Sequence, residues 1–142
     1  MLRGRPRGAG RSVRAVCTGV TALGAAIGLV APAIADMTPA AFDNLGKRAF
    51  ALGEINGYLT LCGEADALRH RAAILDEAAA ADASEGQREA LIYAFNKGLS
   101  AGATAAPLQF KGCTKDFYNY LKQKNEALGA LERQQPGQST NK

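Results

Sequence analysis

The chain has 142 residues, of which 47% are hydrophobic, 6% aromatic and 21% charged, with a formal net charge of +4. This length fits one small domain, and the apolar content is too high for a chain that is disordered throughout. The 16 glycines and 5 prolines follow no collagen-like period. Composition therefore indicates a small globular domain and carries no signature of a particular activity.

Residues 1–35 have the pattern of a secretory signal peptide. Five arginines and no acidic residue precede an uncharged run of small or apolar residues, 16–30. Ala33 and Ala35 supply the small side chains that signal peptidase requires on the leader side of its cut. We therefore predict cleavage between Ala35 and Asp36.

Two other interpretations of this segment fit the residues less well. A retained membrane anchor needs about 20 apolar residues, whereas this run is shorter, rich in glycine and interrupted by Pro32. Cys17 precedes the hydrophobic run, which is the reverse of the order in a lipoprotein signal. There is no twin arginine, so we expect export to the periplasm, or secretion, by the general route.

Removing the leader changes the charge of the protein. Five of the 17 basic side chains and none of the 13 acidic ones lie in the leader, so the mature chain has 12 basic and 13 acidic side chains and a net charge of −1. No concentrated basic surface then indicates nucleic-acid binding. We interpret the lysines at 111, 115, 122 and 124 as a solvated helix face, with weak contact to an anionic surface as the alternative.

The mature chain keeps two cysteines, Cys62 and Cys113. In an oxidising compartment we expect them to form a disulfide. The bridge would close a loop of 52 residues, which the chain-entropy model values at about 4 kcal/mol. The alternative is a metal or redox site built from both thiols and His70, the single histidine. Because a close cysteine pair and a second histidine are missing, we expect neither a metal nor a cofactor.

Apolar periodicity predicts an all-α fold, a small four-helix bundle stapled by one disulfide over residues 36–132 and followed by a disordered tail, 133–142. The first helix is expected to begin at the N-cap Thr38 and to run to about Cys62. Asn56 interrupts its apolar stripe. Gly53 and Gly57 each disfavour a helix by about 1 kcal/mol relative to alanine, so we expect them to permit close approach of another helix.

The second and third helices are predicted from the same periodicity. Gly63 is expected to end the first helix, and a second helix follows over 64–80 with Leu68, Ala72, Leu75 and Ala79 on its inner side. Ser84 and Gln87 match a capping box, which predicts a third helix from Glu85 to about Ala103. Small residues, among them Gly98, recur on its inner face.

A loop over 105–112 is expected to follow, because Pro107 disfavours a continuing helix and Gly112 permits a turn. Thr114 is then a suitable N-cap for the fourth helix. That helix carries an apolar stripe at Phe117, Tyr120, Leu121, Leu128 and Leu131. No alternating pattern indicates a strand in the mature chain.

No catalytic constellation is recognisable in the predicted domain. The two serines there, Ser84 and Ser100, lack the surroundings of a nucleophile. Carboxylates are present at Glu54, Glu64, Asp66, Asp76 and Glu77. Their presence keeps a small cell-envelope hydrolase as a formal alternative, although each carboxylate is first interpreted as an exposed helix charge. We therefore predict a protein that is not an enzyme.

Asn96 lies inside the predicted third helix and has two interpretations. It is either a surface amide or, if it faces the bundle, a hydrogen-bonded architectural residue. The aromatic residues form a second open question, because they suit either an aromatic contact surface or packing in the core and at its rim. These aromatic residues are Tyr58, Tyr93, Phe110, Phe117, Tyr118 and Tyr120.

Three short blocks together resemble a family of small exported alphaproteobacterial helical proteins of unassigned function. The blocks are 52–62, containing Leu-Gly-Glu-Ile-Asn-Gly-Tyr-Leu and Leu-Cys, then Ala-Phe-Asn-Lys-Gly at 94–98, then Cys113-Thr114. The similarity covers about 45–131. It implies secretion, helices and a bridge from Cys62 to Cys113, and it supplies no activity.

The segment 112–116, Gly-Cys-Thr-Lys-Asp, and the overall size are also similar to the small acid-stress chaperones of the bacterial periplasm. Those proteins loosen at low pH and expose apolar surface, a route that depends on protonation of carboxylates. Our main expectation is a non-enzymatic periplasmic protein, monomeric or homodimeric, that binds a protein or an envelope component. An acid-activated stress chaperone is the first alternative.

Overall fold

The described part of the protein is a bundle of four helices. The computed structural model describes residues 36–134, so the predicted leader, including Ala35 at the cleavage site, and the tail residues 135–142 lie outside the described residues. The elements in chain order are α1 (Pro39–Leu59), a 3-10 turn (Thr60–Cys62), α2 (Ala67–Ala80), α3 (Glu85–Gln109) and α4 (Lys115–Arg133). The predicted all-α class is confirmed, with four α-helices and no strand in residues 36–134.

The closest contact in the fold joins α1 and α3, which run parallel to each other. A Cβ atom added at Gly53 would lie 2.1 Å from the backbone oxygen of Phe95, and one added at Gly98 would lie 2.1 Å from that of Phe50. Gly57 and Gly102 meet each other in the same contact. Because a side chain on any of these four residues would collide with backbone, the helix axes can approach only where glycine stands.

α2 and α4 pack against α1 from different sides and run antiparallel to it. Ile74 and Ala78 of α2 join Leu45 of α1 and Leu91 of α3 in one buried cluster. Phe117 of α4 belongs to a second buried cluster, together with Leu121, Ile55, Tyr58 and Ala106. α1 therefore contacts each of the other three helices.

Arg48 of α1 ties both outer helices to the centre. Its guanidinium forms an ion pair with Glu77 of α2 and lies 3.6 Å from the carboxylate of Glu132 of α4. The Arg48 side chain is only 12% exposed, so these ion pairs partly offset the cost of removing its charge from water, although its Nε atom has no hydrogen-bond partner.

The predicted disulfide between Cys62 and Cys113 is present. The two sulfur atoms lie 2.09 Å apart and the Cα atoms 5.7 Å apart. The bond joins the 3-10 turn that follows α1 to the residue before Thr114, whose side chain accepts a hydrogen bond from the backbone of Phe117. The covalent link thus fixes the start of α4 beside the end of α1.

The predicted second helix began too early and had the wrong inner face. Gly63 does adopt a left-handed conformation, but α2 starts only after Asp66, whose side chain caps the backbone N–H of Arg69. Ile74 and Ala78 are buried, whereas Leu68 is 73% exposed. The start of this helix depends on a tertiary contact of Asp66, described below, which periodicity alone does not reveal.

The predicted loop over 105–112 was also partly wrong, because α3 continues through Pro107 to Gln109. Proline at this position removes the N–H that would bond the carbonyl four residues earlier, and its ring crowds that carbonyl, so other contacts must offset this cost. Ala106 is fully buried and the Gln109 side chain accepts a hydrogen bond from Tyr58. These contacts hold the last turn in place and leave only the segment 110–114 between α3 and α4.

The predicted N-caps of α1 and α3 are confirmed. Thr38 caps α1, and the capping box of Ser84 and Gln87 starts α3. Gln87 also exchanges two hydrogen bonds with the backbone of Met37, which links the chain entering α1 to the beginning of α3. In residues 36–134, no helix is long and apolar enough to cross a membrane.

The glycine contact yields a direct test. We expect Gly98→Ala to destabilise the protein by about 3 kcal/mol or more, because the new methyl group collides with the backbone of Phe50. Gly46→Ala is the matched control on α1, since nothing lies within 4 Å of its added Cβ, and it should stabilise by up to about 1 kcal/mol. Urea unfolding measures both, and equal effects would contradict the close contact.

Candidate functional site

The side of α3 that points away from α1 carries two large exposed apolar side chains. Tyr93 is 69% exposed and Leu108 is 82% exposed. Three smaller residues, Ser100, Ala101 and Thr104, lie between them on the same side of the helix, and Lys97 lies beside these three. We call this row, from Tyr93 to Leu108, the outer strip.

A shallow groove runs beside the outer strip, between α1 and the first half of α3. Phe42, Gly46 and Phe50 line it from α1, and Ala90 and Ala94 line it from α3. Small residues on both helices leave a depression between the two half-buried phenylalanine rings. The groove and the outer strip together form a continuous surface, which we call the open face.

The rim of the open face is polar. Asp43 and Lys47 of α1 form an ion pair of 2.6 Å beside the groove, and both side chains are mostly exposed. Asn96 and Lys97 border the outer strip on α3. An apolar centre with a charged rim is the usual composition of a surface that contacts another macromolecule.

The packing of α3 explains why this face is open. Within the described residues, α3 contacts α1, α2 and the 3-10 turn, and these contacts engage only its inner side. α4 packs against α1 instead. The outer strip is therefore a free surface of the described domain.

Within residues 36–134, Asn56 is the one polar residue that is buried in the core. Its side-chain nitrogen donates to the carbonyl of Leu52 at 2.9 Å. Its side-chain oxygen accepts the backbone N–H of Asp66 and lies 3.1 Å from Nδ1 of His70. Asn56 thus fixes the first turn of α2 against α1. An unpaired buried donor or acceptor costs about 1–3 kcal/mol, so this residue has an architectural role.

A second polar group lies at the C-terminal ends of α1 and α3, beside α4. The hydroxyl of Tyr120 donates to that of Tyr58 at 3.1 Å, and Tyr58 donates to the side chain of Gln109 at 3.1 Å. Burial is the main cause that raises the pKa of Tyr58 above its usual range, followed by the hydrogen bond with Tyr120 and the nearby Glu54 carboxylate. Tyr58 therefore stays protonated and holds the end of α3.

Lys124 extends this polar group along α4. Its ammonium lies 2.9 Å from both carboxylate oxygens of Glu54 and 5.5 Å from the centre of the Tyr120 ring. Burial by itself would lower the pKa of Lys124, but the hydrogen bonds to Glu54 and Tyr120 and the charge of Glu54 outweigh it and raise the pKa. The group stabilises the bundle, because the hydroxyls of Tyr58 and Tyr120, the ammonium of Lys124 and the carboxylate of Glu54 all have partners within it.

Asn96, which had two interpretations, is an exposed surface amide. The buried amide of the fold is Asn56 instead. Gly53, Gly57 and Gly98, selected as sites of close helix approach, all lie in the contact between α1 and α3. The sequence pattern thus located the glycines correctly, and of the two interpretations of Asn96 the structure agrees with the surface amide.

Of the five carboxylates considered for a hydrolase, Asp76 is exposed and the other four have separate partners. Glu54 pairs with Lys124, Glu64 accepts a hydrogen bond from Tyr118 at 2.7 Å, and Glu77 pairs with Arg48. Asp66 caps α2. Their distribution over different helices and partners does not bring two of these side chains together in a cleft.

The lysines and aromatic residues also separate into different environments. Lys124 is engaged with Glu54, whereas the lysines at 111, 115 and 122 are exposed. Tyr58 and Phe117 are core residues, and Phe110 and Tyr120 pack against Tyr58. Tyr93 stands apart from this cluster, on the outer strip.

Sequence periodicity missed half of the open face. Because the third helix was expected to end near Ala103, Leu108 was assigned to a loop instead of an exposed helix position. A usable signal exists in the spacing of Tyr93, Lys97, Ser100, Thr104 and Leu108, which follows one helix face through Pro107.

The cysteines are bonded to each other and His70 contacts Asn56, so these three side chains do not converge. Residues 36–134 hold no group of three or more His, Cys, Asp or Glu side chains suited to a metal ion. Comparison with known proteins found no matching family model, curated protein or solved structure.

The raised pKa of Tyr58 predicts a loss of stability in alkali. Above pH of about 10, the unfolded chain releases this proton while the folded chain retains it, so the free energy of unfolding falls as pH rises toward the raised pKa. We expect Tyr58→Phe to reduce this dependence, as measured by urea unfolding at a series of alkaline pH values. Tyr93→Phe changes an exposed ring and is the matched control. An equal slope in all three proteins would contradict the assignment.

Proposed function

We propose that this protein is exported to the periplasm by the general secretion route, loses residues 1–35 by cleavage after Ala35, and acts there without catalysis by binding a protein or an envelope component. The leader pattern and the Cys62–Cys113 disulfide support export, because disulfides persist in oxidising compartments. The resemblance to small exported helical proteins supports the same assignment.

The open face is the observation that carries the binding function. Apolar atoms make up most of the exposed lining of the strip and of the groove, and such surfaces are typical of contact sites. Here Leu108 and Tyr93 project from a helix, and the adjoining groove lies between Phe42 and Phe50, where Gly46, Ala90 and Ala94 carry small side chains or none. A rigid apolar surface with a charged rim binds a partner at low entropic cost, because few groups must be ordered on binding.

Site-specific photo-crosslinking in the exporting host tests this proposal. A photoreactive residue at Ala101, on the outer strip, should form an adduct of defined mass, whereas the same residue at the exposed Ala72 of α2 should not. Leu108→Glu should reduce the yield at Ala101 about tenfold or more, as expected for the loss of a central apolar anchor.

Equal yields at Ala101 and Ala72, or no adduct at either, would overturn binding through the open face. The purified protein should also leave peptidoglycan intact in a zymogram. A cleared band that Glu54→Gln abolishes would instead establish the hydrolase alternative.

An acid-activated chaperone is a second candidate, favoured by the attachment of α4. This helix lies on α1 through apolar contacts and through two ion pairs, Glu54–Lys124 and Arg48–Glu132. Protonation of both glutamates would remove these ion pairs, while the disulfide would keep α4 tethered at Cys113. Release of α4 would expose Phe117 and other core side chains.

Light scattering of an acid-sensitive client distinguishes this candidate. The chaperone mechanism requires suppression of client aggregation at pH of about 3 and none near neutral pH. Glu54→Gln, which mimics protonation at one ion pair, should shift the onset toward neutral pH. Activity that is the same at both pH values, or absent at both, would exclude acid activation.

A further inference from the structure

The two halves of the open face are complementary to each other. The C-terminal end of α3 carries a projecting apolar side chain, Leu108, which is 82% exposed. The N-terminal end of the same helix carries a depression, where Ala90 and Ala94 border the groove beside Phe42 and Phe50. Leu108 and this depression lie at opposite ends of α3 and cannot contact each other within one molecule. They can contact each other between two copies of the chain.

The spacing along α3 matches such a pairing. Tyr93 and Leu108 are separated by about 22 Å along the axis, from the rise of an α-helix. If two α3 helices lie antiparallel with Ser100 opposite the partner's Ala101, then Leu108 of each copy stands opposite the partner's Tyr93. By helical periodicity Leu108, Ala90 and Ala94 share one flank of the strip, so Leu108 would enter between the two alanines.

The middle of the strip permits close approach in this arrangement. Ser100, Ala101 and Thr104 are small, and the Thr104 hydroxyl already donates to the carbonyl of Ser100 at 2.9 Å. Its polar group is thus satisfied without the partner. Two helix backbones can approach closely where the residues between them are small.

Charge complementarity favours the antiparallel direction. Glu85 and Glu89 lie at the N-terminal end of α3 and Lys111 follows its C-terminal end, all three exposed. Arg88 points to the opposite side of the helix from the strip and Glu85 lies between the two sides, so Glu89 is the charge of this end that is nearest to the strip. Antiparallel pairing places the acidic end of each copy beside the partner's Lys111. The dipoles of the two α3 helices also run in opposite directions, so that their opposite partial charges lie side by side. Parallel pairing would bring like charges together.

We propose that the open face pairs with a second copy of this chain, through antiparallel contact of the two α3 helices about Ser100 and Ala101, with Leu108 of each copy seated in the groove of the other. The strip is short compared with the surface that a standard stable interface buries. The dimer is therefore reversible, and self-pairing competes with any other ligand of the same face. The inference rests on the open face of the proposed function but not on the existence of another partner.

Sedimentation velocity over a concentration series, on processed protein recovered from the periplasm, tests the proposal. We expect a monomer–dimer equilibrium that shifts with concentration. Leu108→Glu should weaken dimerisation about tenfold or more. Leu68→Glu is the matched control, because Leu68 is also a strongly exposed leucine but lies on α2, and it should leave the equilibrium unchanged. Circular dichroism checks that both variants fold.

The direction of pairing has its own test. Glu89→Lys and Lys111→Glu should each weaken the dimer, and the double variant should restore it. A monomer at every concentration, an equal effect of the two leucine variants, or failure of the charge exchange to restore pairing would overturn the proposal.

The outcomes also separate the proposal from the binding function. If the protein is monomeric but the Ala101 position crosslinks to a different protein, the binding function stands and self-pairing is wrong. If the dimer forms and every Ala101 adduct has twice the mass of the chain, self-pairing stands and the heterologous partner is wrong.

Discussion

The direct backbone contact between α1 and α3 is the constraint on which the rest of the structure depends. Gly53, Gly57, Gly98 and Gly102 allow two parallel helices to approach until a methyl group at any of these positions would collide with backbone. Each glycine weakens its own helix by about 1 kcal/mol relative to alanine. The gain is dense packing along the pair, which gives the small domain its central element. α2 and α4 then need only cover the flanks of α1.

This arrangement also determines where the surface chemistry lies. The disulfide, the Asn56 amide at the start of α2, and the group formed by Tyr58, Tyr120 and Lys124 lie toward the C-terminal end of α1. These groups are mutually satisfied and serve the fold. The remaining side of α3 carries Leu108 and Tyr93 with no neighbour in the described residues. That side is therefore the surface through which we propose that the protein binds.

Most of the architecture follows from local chemistry, and the errors arise where tertiary contacts override it. Caps at Thr38, Ser84 and Thr114 and the cysteine pair were predictable, because each depends on a residue type and a short spacing. The start of α2 was not, since it depends on Asn56 accepting the backbone N–H of Asp66 from another helix. The continuation of α3 through Pro107 depends on Tyr58 and Ala106 in the same way. For that reason Leu108, one end of the open face, was predicted to lie in a loop.

The central claim is that an exported domain, locked by one disulfide, acts by binding and not through a metal or cofactor. Native mass spectrometry of the protein recovered from the periplasm of an exporting host tests this most directly. The account predicts a chain that begins at Asp36, is lighter by two hydrogens than the reduced chain and carries no added mass beyond a second copy or a protein partner. A retained leader, free thiols at Cys62 and Cys113, or a bound metal ion would contradict it.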